Sequence, residues 1–477
     1  MDETVRVARC RLLIDGRWTD GERTEGVLDK YTQEVCAEMA IPSRDQVRQA
    51  VSIAHAAYQA CGLTAFERGL ILDRAADIVM QREDEVLAVL RQEAGFTAAD
   101  SLAELRRCAQ TLRLSAQEAR NLSGEMIPLE GAAGQQGRLG FTIRVPLGVV
   151  CAITPFNAPL NTVAHKVAPA LAAGNAVILK PSEHTPGAAV ILAEALLEAG
   201  LPQGLLAVLH GGAAVAQWLL DEPLVRFYAF TGSTVVGRHI QKYAGLRRTQ
   251  MELGSIAFTV LAADADLDAA LPKLVNAAYR KAGQVCTSVQ TLLVHESIRA
   301  TVEERLTPMV ADLVYGDPAK PDTVVGPLIS LAAAQRVEQW IEEARARGAR
   351  VLAGGARCGA VVPPTLLADV DETLPVSCQE AFGPVMSIVP FASLDEAIDR
   401  VNATPYGLAT GLFTNRLNEA FAAARRLRVG GVHINETSSS RVDMMPYGGS
   451  KDSGFGREGP HYAVREMSEE RMVTVRI

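Results

Sequence analysis

The sequence predicts an α/β protein of two domains with a small β arm, and three observations carry that prediction. From Leu147 onward, short apolar strand-like runs alternate with helical stretches, the pattern of parallel sheets covered by helices. A glycine-rich turn through Gly131, Gly134 and Gly137 separates two extended runs that stand outside this alternation. A short polar break, Gly283-Gln284-Val285-Cys286-Thr287-Ser288, lies between a helical run and the strand-like Val289 to Val294. The chain is organised around this break, because a cysteine between a helix and a strand can present its sulfur to a cleft.

Composition narrows the function classes. The 477 residues suffice for two or three domains and a large core. With 48% hydrophobic and 21% charged residues and no low-complexity tract, the chain is globular rather than disordered. A net charge of -8 argues against a nucleic-acid or anionic-membrane partner. Met1 to Arg11 has no apolar core and no stretch of about 18 apolar residues follows, so a cytoplasmic protein is expected. The eight cysteines include no CxxC pair; they read as reduced thiols, and no metal is expected.

In chain order, Ile14 to Trp18 reads as a short strand with a turn, and Asp45 to Ala60 as a helix with Ser43 or Asp45 as N-cap. Helices from Thr64 to Arg91 and Thr97 to Asn121 complete a helical first quarter. On spacing alone Arg106 and Arg107 belong to a solvated face. Gly124 to Leu129 and Phe141 to Val145 form a hairpin, too small to stand alone, with Met472 to Ile477 as a candidate strand of the same sheet.

Next come a buried strand from Gly148 to Ile153, a helix from Leu160 to Ala173, a strand from Ala176 to Lys180 and a helix from Thr185 to Ala199. Strands at Leu205 to Leu209 and Val225 to Phe230 continue the series into a helix opened by Gly232 and Ser233. Ligands of such sheets bind at the carboxyl ends of the strands. Lys180 and Glu183 follow one strand end. Gly232 and Ser233 at a helix N-terminus suit a pyrophosphate, although a plain capping turn explains them equally well. A carboxylate at Glu183 can hold ribose hydroxyls and would repel a 2′-phosphate, which favours NAD over NADP. A second α/β stretch begins after Gly254-Ser255, and a cleft is expected between the two halves.

Nucleophilic use of Cys286 needs help, because a free thiol has pKa about 8.5. The preceding helix, read as Asp266 to Ala282, places Cys286 beyond its C-terminus, the wrong pole for a thiolate. Glu252 stands in an uncharged stretch at the domain junction: partly buried it is a general base, solvated it is an edge-strand charge. In Thr154-Pro155-Phe156-Asn157-Ala158-Pro159 two prolines hold Asn157 rigidly, as an oxyanion donor or as an ordinary Asx-turn.

Taken in order, Pro155 to Pro159, Lys180 to Glu183, Phe230 to Ser233, Glu252 to Gly254, Gly283 to Cys286, Glu380 to Pro384 and Pro446 to Lys451 resemble the NAD(P)-dependent aldehyde dehydrogenase superfamily, from about Ile14 to the C-terminus. The resemblance implies a Rossmann-type cofactor domain (1–123 and 143–252), an α/β catalytic domain (253–457) and an oligomerisation arm (124–142 and 458–477) of a homodimer or homotetramer. It implies that Cys286 is the nucleophile, Glu252 the base, and Asn157 with the Cys286 backbone N–H the oxyanion hole. Lys166 and Glu469 match a pair forming a proton path. Thr154, Pro155, Phe156, Lys180, Ser182, Glu183, Gly232, Ser233, Glu380 and Phe382 would hold NAD, with NADP as the alternative. Arg107, Ala158, Val285, Thr287 and Arg441 would line the substrate channel.

The chain departs from the family pattern at Phe156, Ala158 and Ser255, and Ala158 suggests a roomier pocket floor. The implied reaction is NAD-dependent oxidation of a small aldehyde to its acid through a Cys286 thiohemiacetal and thioester. Arg107 and Arg441 converging on one tunnel would suit an anionic aldehyde, unless they pair structurally with Asp443 or Glu104. The rivals are a cysteine-dependent ester hydrolase or acyltransferase without a redox step, and a coenzyme A-acylating dehydrogenase.

Overall fold

The computed structural model describes residues 8–477, so the reading of the first seven residues lies outside the described residues. Five parallel strands form the heart of an eight-stranded sheet, in spatial order Arg248–Glu252, Val225–Thr231, Val149–Ile153, Ala176–Lys180 and Leu206–Val208. Val149–Ile153 and Ala176–Lys180 are buried at every position, as expected for strands covered on both faces. The chain order reverses between Val149–Ile153 and Val225–Thr231. This is the topological switch point of a doubly wound sheet, and the crevice beyond its strand ends is where such folds bind ligands. Thr154 to Asn157 leave one of these strands and Gly232-Ser233 the other.

The helix Arg44–Ala60 begins with the expected Ser43, in a capping box with Gln46. The run read as one helix from Thr64 to Arg91 is two, Ala65–Gln81 and Glu83–Ala94, broken at Arg82. Glu83-Asp84-Glu85 supplies the acidic first turn that favours a new helix start there. Thr97 caps the long helix Ala98–Asn121. The opening segment is less helical than expected. Leu12–Ile14 and Arg17–Thr19 form a hairpin on the edge of the large sheet, and Ala8–Cys10, Val35–Ile41 and Arg23–Leu28 make a separate three-stranded sheet. Arg23–Leu28 is mostly exposed and polar, so it lacks the apolar run that marks a strand in sequence.

A seven-stranded sheet follows, ordered Arg350–Ala353, Thr365–Ala368, Val385–Phe391, Val289–His295, Ala257–Leu261, Ala409–Phe413 and Gly431–Ile434. All its pairs are parallel except that of Arg350–Ala353. Its buried side chains form their own clusters beside the core of the first sheet. The arm is a three-stranded antiparallel sheet, with Arg138–Pro146 paired to Met126–Ile127 on one side and to Ser468–Arg476 on the other. The helix Pro460–Glu466 is not part of that sheet: Val464 and Met467 pack in the first core. No helix among the described residues is long and apolar enough to cross a membrane.

Candidate active site

A cavity of about 510 Å³ opens between the two large sheets. Cys286, Glu252, Asn157, Ala158, Val285, Thr287, Arg107 and Arg441 all line it. The helix Leu267–Tyr279 ends earlier than the sequence suggests, and Lys281, Ala282 and Gly283 follow at φ 52°, 54° and 69°. Left-handed backbone at two non-glycine residues is strained and must be held by its surroundings. Lys281 Nζ donates to Glu104 Oε2 at 2.8 Å and to the Asn157 carbonyl at 3.1 Å, and lies 4.3 Å from the Phe96 ring centroid. At Gly283 a Cβ would stand 2.1 Å from the Gly383 carbonyl oxygen, so only glycine fits. This turn delivers Cys286 to the cavity and ties it to the segment bearing Asn157. The Ser288 hydroxyl donates to the Ala278 carbonyl at 3.0 Å, occupying part of the helix's negative pole.

The Cys286 sulfur lies 2.8 Å from the Tyr447 hydroxyl. Burial, and then the neighbouring Glu252, push the thiol well above its ordinary range, while Tyr447 and Arg441 oppose the shift. Glu252 ends the Arg248–Glu252 strand and is buried, with no protein hydrogen-bond partner for Oε1 among the described residues. Burial first, and the Glu458 charge second, raise its carboxyl to about 8, against a hydrogen bond with Cys286 and the charges of Arg441 and Lys166. That is the environment of a general base.

Behind this pair stands a chain of buried charges. Lys166 Nζ lies 2.8 Å from Glu458 Oε1, and Arg441 Nη2 donates to Glu458 Oε2 at 2.8 Å. Burial alone would raise Glu458, but Lys166 and Arg441 outweigh it and hold the carboxyl well below its usual range. The expected Lys166–Glu469 pair is corrected here. Glu469 projects from the arm strand, 3.4 Å from Arg248 and half exposed, and the acid facing Lys166 is Glu458.

The two arginines expected to grip an anion are already engaged. Arg107 donates from Nε and Nη2 to Asp443 at 3.1 and 2.7 Å, a bidentate pair that His165 and Asn161 complete around the same carboxylate. Glu104 pairs with Lys281 instead. Sequence reasoning missed Arg280. It lines the same cavity, donates from Nη2 to Ser439 Oγ at 2.7 Å, and has no carboxylate within ion-pairing distance among the described residues. Its place in sequence, six residues before Cys286 at a helix end, marks it as near the site, but no local pattern says that it lines the cavity.

The expected cofactor residues gather at the switch-point crevice. Phe156 meets Phe382 edge to face at 5.7 Å and His184 at 6.0 Å. Thr154 N–H donates to the Lys180 carbonyl, joining the ends of adjacent strands, and the Ser182 hydroxyl accepts from the His184 N–H. Pro155 follows Thr154 in the same loop. Lys180 Nζ lies 3.8 Å from Glu183 Oε2, whose carboxylate is half exposed. Ser233 caps the helix Thr234–Ala244, and the Gly232 N–H donates to the Glu252 carbonyl at 3.0 Å. Glu380 Oε1 accepts from the Ser255 N–H at 2.9 Å, and a Cβ at Gly254 would stand 2.9 Å from its other oxygen. Burial raises the Glu380 carboxyl to about 7, against the Ser255 bond and Arg336. A helix N-terminus with first-turn N–H groups beyond the one Ser233 caps, the carboxylates of Glu183 and Glu380, and a glycine where a side chain would intrude all suit a dinucleotide.

A doubly wound sheet with a ligand crevice at its switch point, beside a half-buried cysteine and a buried carboxylate, has the parts of a nucleotide-dependent enzyme with a thiol at its centre. The chain belongs to the aldehyde dehydrogenase family, which it matches over residues 18–473, and it is an aldehyde dehydrogenase. It is 44% identical over 479 residues to 3-sulfolactaldehyde dehydrogenase of Priestia aryabhattai, covering 100% of both chains. It is 40% identical over 453 residues to aspartate-semialdehyde dehydrogenase 1 of Pseudomonas canavaninivorans, covering 94% of this chain and 96% of that one. Among solved structures, aldehyde dehydrogenase 21 of Physcomitrella patens, in complex with the reaction product succinate, superposes with a TM-score of 0.96 at 36% identity, covering 98% of each chain. Family members use NAD or NADP.

Proposed function

We propose that this enzyme oxidises a short aldehyde with an anionic far end, a carboxylate or a sulfonate, to the corresponding acid. The observation that carries the substrate class is Arg280, a cation on the cavity wall with no acidic partner among the described residues. A half-buried charge without an ion-pair partner is costly, and an anionic ligand group would relieve that cost. The names of the sulfolactaldehyde and aspartate-semialdehyde relatives, and the succinate bound in the moss enzyme, support the same class.

On this reading the Cys286 thiol passes its proton to Glu252 and the sulfur adds to the aldehyde carbon. The oxyanion accepts from the Asn157 side-chain amide and the Cys286 backbone N–H, one such donor being worth about 3 kcal/mol. Lys281, by holding the Asn157 carbonyl, keeps that amide in place. Lys180, Glu183, Ser233 and Glu380 would hold NAD⁺, which would supply the hydride acceptor, and loss of hydride from the thiohemiacetal carbon leaves a thioester on Cys286. Glu252 removes a proton from the water that hydrolyses the thioester, and the Arg441 and Lys166 charges favour its carboxylate while Glu458 opposes it. Val285, Thr287 and Ala158 shape the floor, and Phe382 flanks the cofactor crevice. The Glu183 carboxylate supports NAD over NADP, and exposed Leu139, Ile143, Met472 and Val475 on the arm support a homo-oligomer.

The test is NADH formation from NAD⁺ with short neutral, carboxylated and sulfonated aldehydes, without coenzyme A, beside Cys286→Ala and Arg280→Ala. The parent should prefer the anionic aldehydes, and Cys286→Ala should be silent. Loss of a charge-assisted contact of about 2–3 kcal/mol should raise KM for anionic aldehydes about 30- to 150-fold in Arg280→Ala and leave neutral ones little changed. Equal effects on both classes would remove Arg280 from substrate recognition. Ester cleavage in the absence of NAD⁺ and of any aldehyde oxidation would favour the hydrolase alternative.

A further inference from the structure

Tyr447 has no place in the mechanism as given so far, yet its hydroxyl is the hydrogen-bond partner of the Cys286 sulfur, at 2.8 Å. The residue is held from three directions. Its backbone N–H donates to the Glu458 carbonyl at 3.1 Å, and its carbonyl accepts from the Glu458 N–H at 2.6 Å. The Arg441 guanidinium lies 3.7 Å from its ring centroid. Arg441 is in turn fixed by Glu458, whose other oxygen is bound by Lys166 and by the Thr231 hydroxyl at 2.9 Å. A buried phenol held this firmly serves one hydrogen-bonding direction, and that direction is the sulfur.

The donor and acceptor roles follow from chemistry. A thiolate has no proton to give, so towards it the phenol O–H is the donor, and a charge-assisted bond of this kind is stronger than a neutral one. A cation over the ring draws electron density from the phenol and strengthens it as a donor. The other charged or titratable groups near the sulfur are Glu252 from the first sheet, Arg441 and Arg280, with Glu458 and Lys166 one step behind. The helix before Cys286 offers its negative pole, so it cannot supply the stabilisation.

We propose that Tyr447 is a catalytic residue of this site: its O–H donates to the Cys286 sulfur while that sulfur carries negative charge, and so sets the fraction of enzyme ready to attack. The proposal rests on the reading of Cys286 as nucleophile. No bond to tyrosine forms or breaks; the thiol proton goes to Glu252 and the phenol keeps its own. Once the sulfur has added to the aldehyde it is an uncharged thioether and a weak acceptor, so the bond matters before attack and again when the C–S bond breaks in hydrolysis and the sulfur leaves with its electron pair.

The test follows the thiolate directly, by the pH dependence of iodoacetamide alkylation of Cys286 and of absorbance near 240 nm, with Cys286→Ala as the blank for the other cysteines. In Tyr447→Phe, alkylation at pH 7 should fall about tenfold, the titration moving up by about one pH unit with an unchanged plateau. Fluorotyrosine introduced at position 447 alone, a stronger donor of nearly the same shape, should move it down, and this arm decides if Tyr447→Phe does not fold. The burst of NADH should slow in Tyr447→Phe. Titrations that superpose on the parent in the fluorotyrosine protein and in folded Tyr447→Phe would overturn the proposal. NADH production by Cys286→Ala would instead overturn the nucleophile reading on which it rests.

Discussion

Truncating Arg107 to alanine separates two accounts of the cavity. In one the arginine grips the substrate; in the other it is committed to Asp443. The pair is bidentate, at 3.1 and 2.7 Å, and the Asp443 side chain is 2% exposed. His165 and Asn161, at 2.9 and 3.1 Å, would remain to the orphaned carboxylate. Breaking a buried ion pair costs about 3–5 kcal/mol. The guanidinium is 30% exposed and two other partners persist, so about 2–3 kcal/mol is the better figure here. At about 2–4 °C per kcal/mol for a domain of some 200 residues, thermal scans should show Tm about 5–10 °C lower. Asp443 anchors the segment that carries Arg441 and Tyr447, so kcat/KM should fall by a similar factor for neutral and anionic aldehydes. An Arg107→Ala protein with the parent Tm and a KM raised for anionic aldehydes alone would refute this reasoning and restore the substrate clamp.

Other outcomes follow from the same geometry. With the Glu252 carboxyl raised to about 8, its basic form grows as pH rises, so steady-state hydrolysis should climb with an apparent pKa near 8 and flatten above it. Glu252→Gln should give one burst of NADH and stall; steady turnover at the parent rate would remove Glu252 from the role. The same shift has a sign for stability. The folded state keeps this proton above the ordinary value of 4.5, so the contribution of Glu252 weakens as pH rises from there towards 8, a trend absent from the Tm profile of Glu252→Gln. Gly283→Ala sets a Cβ 2.1 Å from the Gly383 carbonyl oxygen at φ +69°, so the turn should move, with loss of alkylation at Cys286 and a lower Tm; a fully active variant would show that the turn is softer than drawn.

Much of this was legible in the sequence where local pattern and fold agree. The strands on either side of the switch point are apolar runs ended by polar turns, so their succession along the chain and the residues leaving them could be read directly, while their spatial order could not. The exposed strand Arg23–Leu28 has no such signature, and the break at Arg82 lies inside an unbroken helical pattern. At the site, residues within motifs were found, and partnerships across the fold were not. Glu458 faces Lys166 from 292 positions away in the chain, where a motif places the residue but not its partner. Arg280 and Tyr447 both lay beside or within the quoted motifs. What gives each its meaning, an absent carboxylate in one case and a sulfur at 2.8 Å in the other, is a property of packing alone.

The buried charges around Cys286 bear on how one site performs two proton tasks. Lys166, Glu458 and Arg441 alternate in sign, and Arg441 acts on both Cys286 and Glu252. With both the thiol and the Glu252 carboxyl protonated, this row carries one positive charge in excess, which one negative charge nearby would balance. On the proposed mechanism that charge can reside on the sulfur or on Glu252, but both at once would repel in a buried site. Before attack Glu252 holds the proton and the sulfur the charge. After the sulfur becomes a neutral thioester, its charge no longer opposes ionisation of Glu252, and the carboxylate forms when a base for water is needed. Burial and Glu458 raise the Glu252 carboxyl, burial and Glu252 raise the Cys286 thiol, and Arg441 is the fixed cation that favours the single negative charge on whichever of the two carries it.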